Sequence, residues 1–394
     1  MTTMRIAMMT DSYLPTRDGV VTSVMLTKEV LEARGHEVFI VAPDPGVESQ
    51  RQEGIVYFRS KGFKSYPGYF VPMFPADKMA RIRALDVDII HCHGIATMAL
   101  RGLLVGRHLE LPVVMTFHTM VTEAMEYYSP IPMSPEISDR LTWRYLRSLL
   151  QRVDGVIAPT QSIQDELLEH APRIRGISVI PTGVDLARFH TALDGSSIRA
   201  RHGLEGKKAV LHVGRVSFEK NIDTVVMAMR HLPEDTVLLV VGSGPASDHL
   251  RNLAEHLGLG ARVVFTGFVP DEELPLYYAA ADAFVLASKF ETQGLVVLEA
   301  MACGLPVTGI RFRALADIIE DGVSGILFDD GPESCADALQ RCLDEGEGMR
   351  AKARERALQF SLESSAQLLE QAYVLAKEVK ESRLRSKRRA HVRR

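Results

Sequence analysis

Two glutamates eight positions apart, Glu291 and Glu299, frame the segment FETQGLVVLEAMACGLPV. A helix is expected from about Gly294, ended by Gly304 and Pro306 before the next apolar run. The amides around Gln293, Gly294 and Leu295 would stand at its start, where backbone N–H groups lack intrahelical partners. Such amides can donate to an anionic or hydroxyl-rich ligand. Glu291, just ahead of the helix, can accept hydrogen bonds from sugar hydroxyls. Glu299, about two turns on, can accept them from ribose hydroxyls, as acidic residues do in dinucleotide sites. The same letters also describe two surface glutamates flanking an ordinary helix.

A second set precedes it in the chain. In LHVGRVSFEKNID an apolar run leads to Gly214, then Arg215 and Lys220 five residues apart. Glycine lets the chain turn at a strand end. The guanidinium fork and the ammonium point charge can converge on a diphosphate. Without further context, a solvated charged loop accounts for these residues equally well. The glycines of VVGSGP, after another apolar run, allow a ligand to approach closely; on their own they describe any tight strand-to-helix turn. Phosphate, sugar and ribose readers all following strand ends in one half of the chain favour a nucleotide-sugar site.

The elements that must hold these residues follow from the pattern of apolar runs. Ile6–Met9, Val38–Val41, Val87–His91, Val113–Phe117, Gly155–Ala158 and Ile177–Ile180 are short, rich in β-branched residues and closed by polar or glycine-bearing loops. Buried parallel strands have this composition. Helical spacing lies between them at Val20–Leu31, Ile137–Arg152 and Ser162–Glu169. Periodicity fades over Asp185–Gly206 and restarts at Ala209–Val213, with further runs at Val237–Val241, Val263–Phe265, Ala283–Leu286, Pro306–Gly309 and Gly325–Phe328. Alternating strands and helices give an α/β fold with parallel sheets. The expected division is a first domain over 1–185, a linker over 186–206, a second domain over 207–361, and a helix with a basic tail over 362–394.

A length of 394 residues accommodates two such domains, and 46% hydrophobic with 24% charged residues is ordinary globular composition. Cys92, Cys303, Cys335 and Cys342 have no zinc-ligand spacing and read as reduced thiols of a cytoplasmic protein. The N-terminus does not read as a signal peptide, and no run approaches the roughly 18 apolar residues of a spanning helix. The formal net charge is −4, but Lys377–Arg394 carries nine Lys/Arg against two Glu, a net +7 that leaves −11 on the rest. An acidic body with a basic tail argues against nucleic acid as a partner.

Taken together, Pro181–Asp185 (PTGVD), Gly214–Asn221 (GRVSFEKN), Gly242–Pro245 (GSGP), Gly267–Pro270 (GFVP) and the glutamate pair of ETQGLVVLE resemble the family 4 retaining glycosyltransferases over nearly the whole chain. The resemblance implies a GT-B fold, two Rossmann-like domains facing each other across a cleft. It implies that Arg215 and Lys220 hold the donor diphosphate. Val269 would lie at the nucleobase, Glu291 and the 293–295 amides at the transferred sugar, and Glu299 at the ribose. The first domain looks like the acceptor domain. Asp18–Ser23 (DGVVTS) matches a flexible loop facing the donor phosphates and the acceptor; several lipid-modifying members have a double glycine where this chain has Gly19-Val20. His118 of Thr116–Tyr128 (TFHTMVTEAMEYY) would contact the sugar near the reacting bond.

Within the family the FHT, EYY and ETQG segments look most like diacylglycerol glucosyltransferases, which implies UDP-glucose as donor and a lipid or other small hydroxyl acceptor. GDP-mannose-dependent relatives are the alternative. A nucleotide-sugar epimerase and a non-catalytic nucleotide-sugar sensor are readings of other kinds; the segments around Gly19 and His118 argue against the first, and intact Arg215, Lys220, Glu291 and Glu299 against the second. No cofactor and no required metal are expected. Asp86-Val87-Asp88 has the letters of a donor-metal motif but reads as a helix–strand turn, and His91 and His93, sharing a strand face, make an improbable metal site. Two patches point to the inner face of an anionic membrane. One is Lys61–Leu85, with Phe63, Tyr66, Tyr69, Phe70, Val71, Met73 and Phe74 beside Lys61, Lys64, Lys78, Arg81 and Arg83; the other is the tail after Lys377.

Overall fold

A computed structural model describes residues 3–16, 18–62, 70–72, 79–118 and 134–392. Two compact units emerge: Met1–Gly183 with Leu362–Arg394, and Val184–Ser361.

The first unit is built on a seven-stranded parallel sheet, order β3-β2-β1-β6-β7-β8-β9. Its strands are β1 (Arg5–Thr10), β2 (Glu37–Pro43), β3 (Val56–Phe58), β6 (Ile89–His93), β7 (Val113–Thr116), β8 (Gly155–Ala158) and β9 (Ile177–Val179). A separate antiparallel ribbon pairs β4 (Ser60–Gly62) with β5 (Phe70–Pro72). Side chains from the Thr97–His108, Pro135–Leu150 and Gln161–His170 helices fill the core on one face. The Gly19–Ala33 helix and the C-terminal Leu362–Val392 helix cover the other.

The second unit carries a six-stranded parallel sheet, order β12-β11-β10-β13-β14-β15. Its strands are β10 (Lys208–Val213), β11 (Thr236–Val241), β12 (Val263–Gly267), β13 (Ala283–Leu286), β14 (Val307–Ile310) and β15 (Gly325–Phe328). β11, β13, β14 and β15 are buried along their whole length, which is why they read as unbroken apolar runs.

Three expectations need correction. The 186–206 segment belongs to the second unit: it forms a short helix at Ser196–Arg201, and Phe189, Ile198 and Leu204 are buried in that unit's core. Three apolar anchors spaced through polar sequence do not produce periodicity. The 362–394 segment is no separate appendage either. Its helix continues to Val392 and packs on the first unit, with Ala366, Leu369, Tyr373 and Ala376 buried. Glu370, 1% exposed, takes a two-pronged ion pair from Arg34 (2.8 and 2.7 Å) and a bond from His36 (3.0 Å), which hold its carboxyl down at about 2. Finally, Gly19–Ser23 is helix rather than loop. Asp18 caps it, its Oδ1 accepting from the Val21 amide at 2.8 Å.

Candidate active site

In an open α/β sheet, ligands bind at the carboxyl ends of the strands where the strand order reverses. In the second unit that point lies between β10 and β13, neighbours whose next elements lead in opposite directions. The loops leaving these two strands carry the residues singled out in the sequence.

After β10, Gly214 has φ +153°, and Arg215 and Val216 lead into a 3₁₀ turn at Phe218–Lys220. Inside the turn the Ser217 hydroxyl donates to Glu219 Oε1 at 2.6 Å. Asn221, left-handed at φ +50°, ends the turn and starts the Ile222–Ala228 helix. This doubling back brings Lys220 to the neighbouring strand's loop, where its Nζ lies 2.5 Å from Glu291 Oε1. Both side chains are mostly buried, at 20% and 17% exposure. The proposed phosphate reader and sugar reader, 71 positions apart in sequence, are direct neighbours.

The glycines of GSGP serve that loop. A Cβ on Gly242 (φ +131°) would stand 1.9 Å from the Gly214 carbonyl oxygen, and one on Gly244 2.2 Å from that of Val216. Backbone bonds from Gly214 N to Val241 O, Val216 N to Ser243 O and Ala246 N to Val216 O tie the two loops together. Gly242 N also donates to Gly267 O at 2.9 Å, which joins the GFVP segment to the same cluster. There Val269 is partly buried against the core beside exposed Phe268.

After β13, Gly294 at φ +84° turns the chain into the Leu295–Ala302 helix. A side chain there would crowd Leu315, its Cβ 3.0 Å from Cδ2. Gln293 is buried, and Leu295 opens the helix as expected. Glu299 lies inside the helix; its Oε2 accepts from the Tyr278 hydroxyl at 2.6 Å. Burial pushes the Glu299 carboxyl up to about 7, and burial together with Glu299 pushes the Tyr278 hydroxyl upward. Glu299 is thus a hydrogen-bonded acceptor already shared with a tyrosine.

Sequence reading missed two groups here. Tyr278 is one. The other is His212, fully buried in β10, whose Nδ1 donates to the Val285 carbonyl at 3.2 Å. Its Nε2 has no partner and lies 3.7 Å from where a Gly214 Cβ would sit. Burial holds this imidazole neutral, pushed down to about 4. A histidine inside the apolar LHVGR run was the available signal.

In the first unit the order reverses between β1 and β6. Asp11, after β1, accepts from the Ala96 (3.0 Å) and Met98 (2.8 Å) amides after β6. A Cβ on Gly19 would meet nothing within 4 Å, so no internal contact requires glycine there. His118 follows β7 and bonds through Nε2 to His93 Nδ1 at 3.0 Å. His91 is engaged at both ring nitrogens, with the Tyr373 (2.8 Å) and Thr116 (2.7 Å) hydroxyls. Asp86–Asp88 is a turn between the Met79–Ala84 helix and β6, with Asp88 Oδ2 accepting from the Arg5 amide at 2.8 Å. Among the described residues no group of three or more His, Cys, Asp or Glu could hold a metal ion. The rest of the histidine segment, Thr119–Tyr128, lies outside the described residues.

Residues 195–360 match the model of glycosyl transferases group 1, and residues 17–188 that of glycosyltransferase family 4. The alpha-monoglucosyldiacylglycerol synthase of Streptococcus pneumoniae is 34% identical over 335 residues, covering 82% of this chain and 75% of that protein. The chain belongs to the family 4 glycosyltransferases. This glycosyltransferase is also 29% identical over 353 residues to a GDP-mannose-dependent alpha-mannosyltransferase of Corynebacterium glutamicum, covering 87% and 81% of the two chains. Among solved structures, Anabaena HepE in complex with UDP and glucose superposes with a TM-score of 0.76 at 22% identity, over 93% of this chain and 98% of that one. The glycosyltransferase therefore has the GT-B fold, with two Rossmann-like domains, and is a hexosyltransferase.

Proposed function

We propose that this enzyme transfers glucose from UDP-glucose to a hydroxyl of a membrane lipid such as diacylglycerol, with retention of the α configuration and without a required metal. The observation that carries the reading is the contact between Lys220 and Glu291 at the strand-order reversal of the second unit. A cation for the diphosphate beside a carboxylate for the adjoining sugar is the arrangement a nucleotide sugar requires. Arg215, from the same loop as Lys220, adds a forked donor for phosphate oxygens. Val269 contacts the nucleobase, and Gln293, Gly294 and Leu295 donate to the sugar. Glu299 accepts from the ribose. For Gly19 and His118, in the first unit, the support for a role in transfer is the family resemblance.

In the proposed reaction a bond forms between the acceptor oxygen and the sugar's anomeric carbon as the bond from that carbon to the phosphate oxygen breaks. The acceptor's proton passes to the departing phosphate. Arg215 and Lys220 stabilise the charge that develops there, and the remaining groups supply positioning. The similarity to the pneumococcal synthase favours glucose and a diacylglycerol acceptor. The similarity to a GDP-mannose-dependent enzyme supports mannosyl transfer as the second reading. Calorimetric competition decides between the bases: UDP should displace GDP from the enzyme, and tighter GDP binding would reject the first reading.

A peripheral position on the inner face of an anionic membrane fits the surface of the first unit. Leu100 and Leu104 on the Thr97–His108 helix, and Ile137, Leu141 and Tyr145 on the Pro135–Leu150 helix, are exposed, as are Arg107, Arg140 and Arg144 of the same helices. Aromatic, aliphatic and basic groups together suit the headgroup region. Of the patch expected over Lys61–Leu85, Phe63, Lys64, Tyr66, Tyr69, Met73, Phe74 and Lys78 lie outside the described residues. The tail contributes less charge than its composition implies. Arg383 bonds Asp154 at 2.6 Å and Arg388 approaches Glu110 at 3.8 Å, both partners lying outside the tail. Among the described residues no helix is long and apolar enough to cross a membrane.

A further inference from the structure

Tyr277 and Tyr278 are consecutive on the Leu274–Ala280 helix and have different partners. The Tyr277 hydroxyl bonds His202 Nε2 at 3.1 Å. Tyr278 is 1% exposed, its ring edge-on to Phe189, with centroids 5.6 Å apart and 86° between planes, and tilted against Phe284 at 5.9 Å. A ring clamped in this way fixes where its hydroxyl oxygen stands. That place is 2.6 Å from Glu299 Oε2, on the Leu295–Ala302 helix. All of these residues belong to the second unit.

An ionised carboxylate only accepts, so the phenol is the donor. Hydrogen bonds to an ionised group are short and strong. This one favours the charged form of Glu299 against its burial, as does the nearby charge of Arg188. Among the described residues Glu299 has no hydrogen bond besides the one from Tyr278, so Oε1 is the oxygen left to accept from a ligand. A side chain held before the ligand arrives does not have to be ordered on binding. The helix that carries Tyr278 is itself tied to the GFVP segment, where the Glu273 and Leu274 amides donate to the Pro270 carbonyl at 3.0 and 3.2 Å. It therefore starts on the segment assigned to the nucleobase and reaches the carboxylate assigned to the ribose.

We propose that Tyr278 is a positioning residue for Glu299: its hydroxyl holds Oε2 so that Oε1 meets a ribose hydroxyl of the donor, at a set distance from the nucleobase segment. The carboxylate then grips the ribose through one oxygen instead of two. This consequence rests on the reading that Glu299 accepts from the ribose; the hold of Tyr278 on the carboxyl does not.

The test is isothermal calorimetry of the full chain with UDP and with 2′,3′-dideoxy-UDP, paired with steady-state kinetics. The assays run at pH 8, above the value of about 7 to which burial raises the Glu299 carboxyl. The parent should bind UDP about ten- to a hundredfold more tightly than the analogue, which has no ribose hydroxyl to donate. Tyr278→Phe keeps the ring between Phe189 and Phe284 and removes only the hydroxyl. It should cut that preference about three- to tenfold by weakening UDP alone, leave the affinity of the analogue as it was, and raise KM for the donor with kcat nearly constant. In a Glu299→Ala background the preference should be gone, and Tyr278→Phe should change nothing further. A preference untouched by Tyr278→Phe overturns the proposal, as does an equal loss for both ligands, the result a merely structural tyrosine would give. If the parent shows no preference, or Glu299→Ala retains it, the placement of Glu299 at the ribose is what fails, and the proposal falls with it.

Discussion

Removing Lys220 tests how phosphate and sugar recognition are coupled in the second unit. Lys220 is bound to Glu291 at 2.5 Å, with both side chains about one-fifth exposed. Lys220→Ala therefore has two effects on UDP. It removes a charge-assisted hydrogen bond, worth about 1.5–3 kcal/mol. It also leaves the Glu291 carboxylate uncompensated beside an incoming diphosphate. Unit charges near a protein surface interact by about 4 kcal/mol at 4 Å and about half that at twice the separation, before screening. The expected loss of UDP affinity is at least tenfold and up to about a thousandfold. Glu291→Ala should do the opposite to UDP: with its partner gone, Lys220 is released for phosphate, and affinity holds or rises by a few-fold. Transfer should nevertheless be nearly abolished, because the sugar loses its acceptor. In the double variant UDP affinity should recover part of what Lys220→Ala lost, while turnover stays absent. Isothermal calorimetry with UDP, paired with turnover assays for all four proteins, measures this cycle. Refutation would come from Glu291→Ala weakening UDP as much as Lys220→Ala does, or from strictly additive effects.

Three further expectations follow from the geometry. The Glu299 carboxyl is raised from 4.5 to about 7, so its neutral form is favoured in the fold; its contribution is full below pH 4.5 and is lost as pH rises through 7, at a cost of about 3 kcal/mol. Glu299→Gln should accordingly raise the melting temperature at pH 8 but not at pH 4.5, and weaken UDP through the lost ribose acceptor; equal shifts at both pH values would reject the burial argument. Gly242→Ala should unfold several degrees earlier and bind UDP poorly, since its Cβ would meet the Gly214 carbonyl at 1.9 Å, whereas Gly19→Ala should leave the melting temperature unchanged and lower turnover only. On the membrane side, truncation after Leu384 spares the contact of Arg383 with Asp154 and should reduce salt-sensitive sedimentation with anionic vesicles while sparing transfer to a soluble acceptor; binding indifferent to salt, lipid charge and truncation contradicts the electrostatic part.

The parallel strands were legible because β-branched apolar runs ending in glycine or polar loops have few other uses. β8, β13 and β15 appear at the expected residues. β3 was missed, since three residues of Val-Tyr-Phe are too short to display a period. The 186–206 segment hid its allegiance because its buried residues are spaced between charges. The C-terminal helix hid its own because its key anchors, Glu370 with Arg34 and His91 with Tyr373, join positions more than 280 residues apart. In the site, the residue types and their order along the chain were readable, but their contacts were not. Nothing local in GRVSFEKN states that its lysine lands on Glu291, and the GSGP glycines proved to serve loop-on-loop packing that a sequence cannot display. His212 stood out only as a histidine inside the apolar LHVGR run, and His93 was weighed only as one half of an improbable metal pair.

The most direct test of the central claim is product analysis with the purified chain, vesicles containing diacylglycerol and anionic lipid, and equal concentrations of UDP-glucose and GDP-mannose. The account predicts a single glycolipid carrying glucose, with the α anomer seen by NMR and formation undiminished by a chelator. A mannolipid, a β-linked product, or consumption of UDP-glucose to another free nucleotide sugar with no glycolipid formed would contradict it.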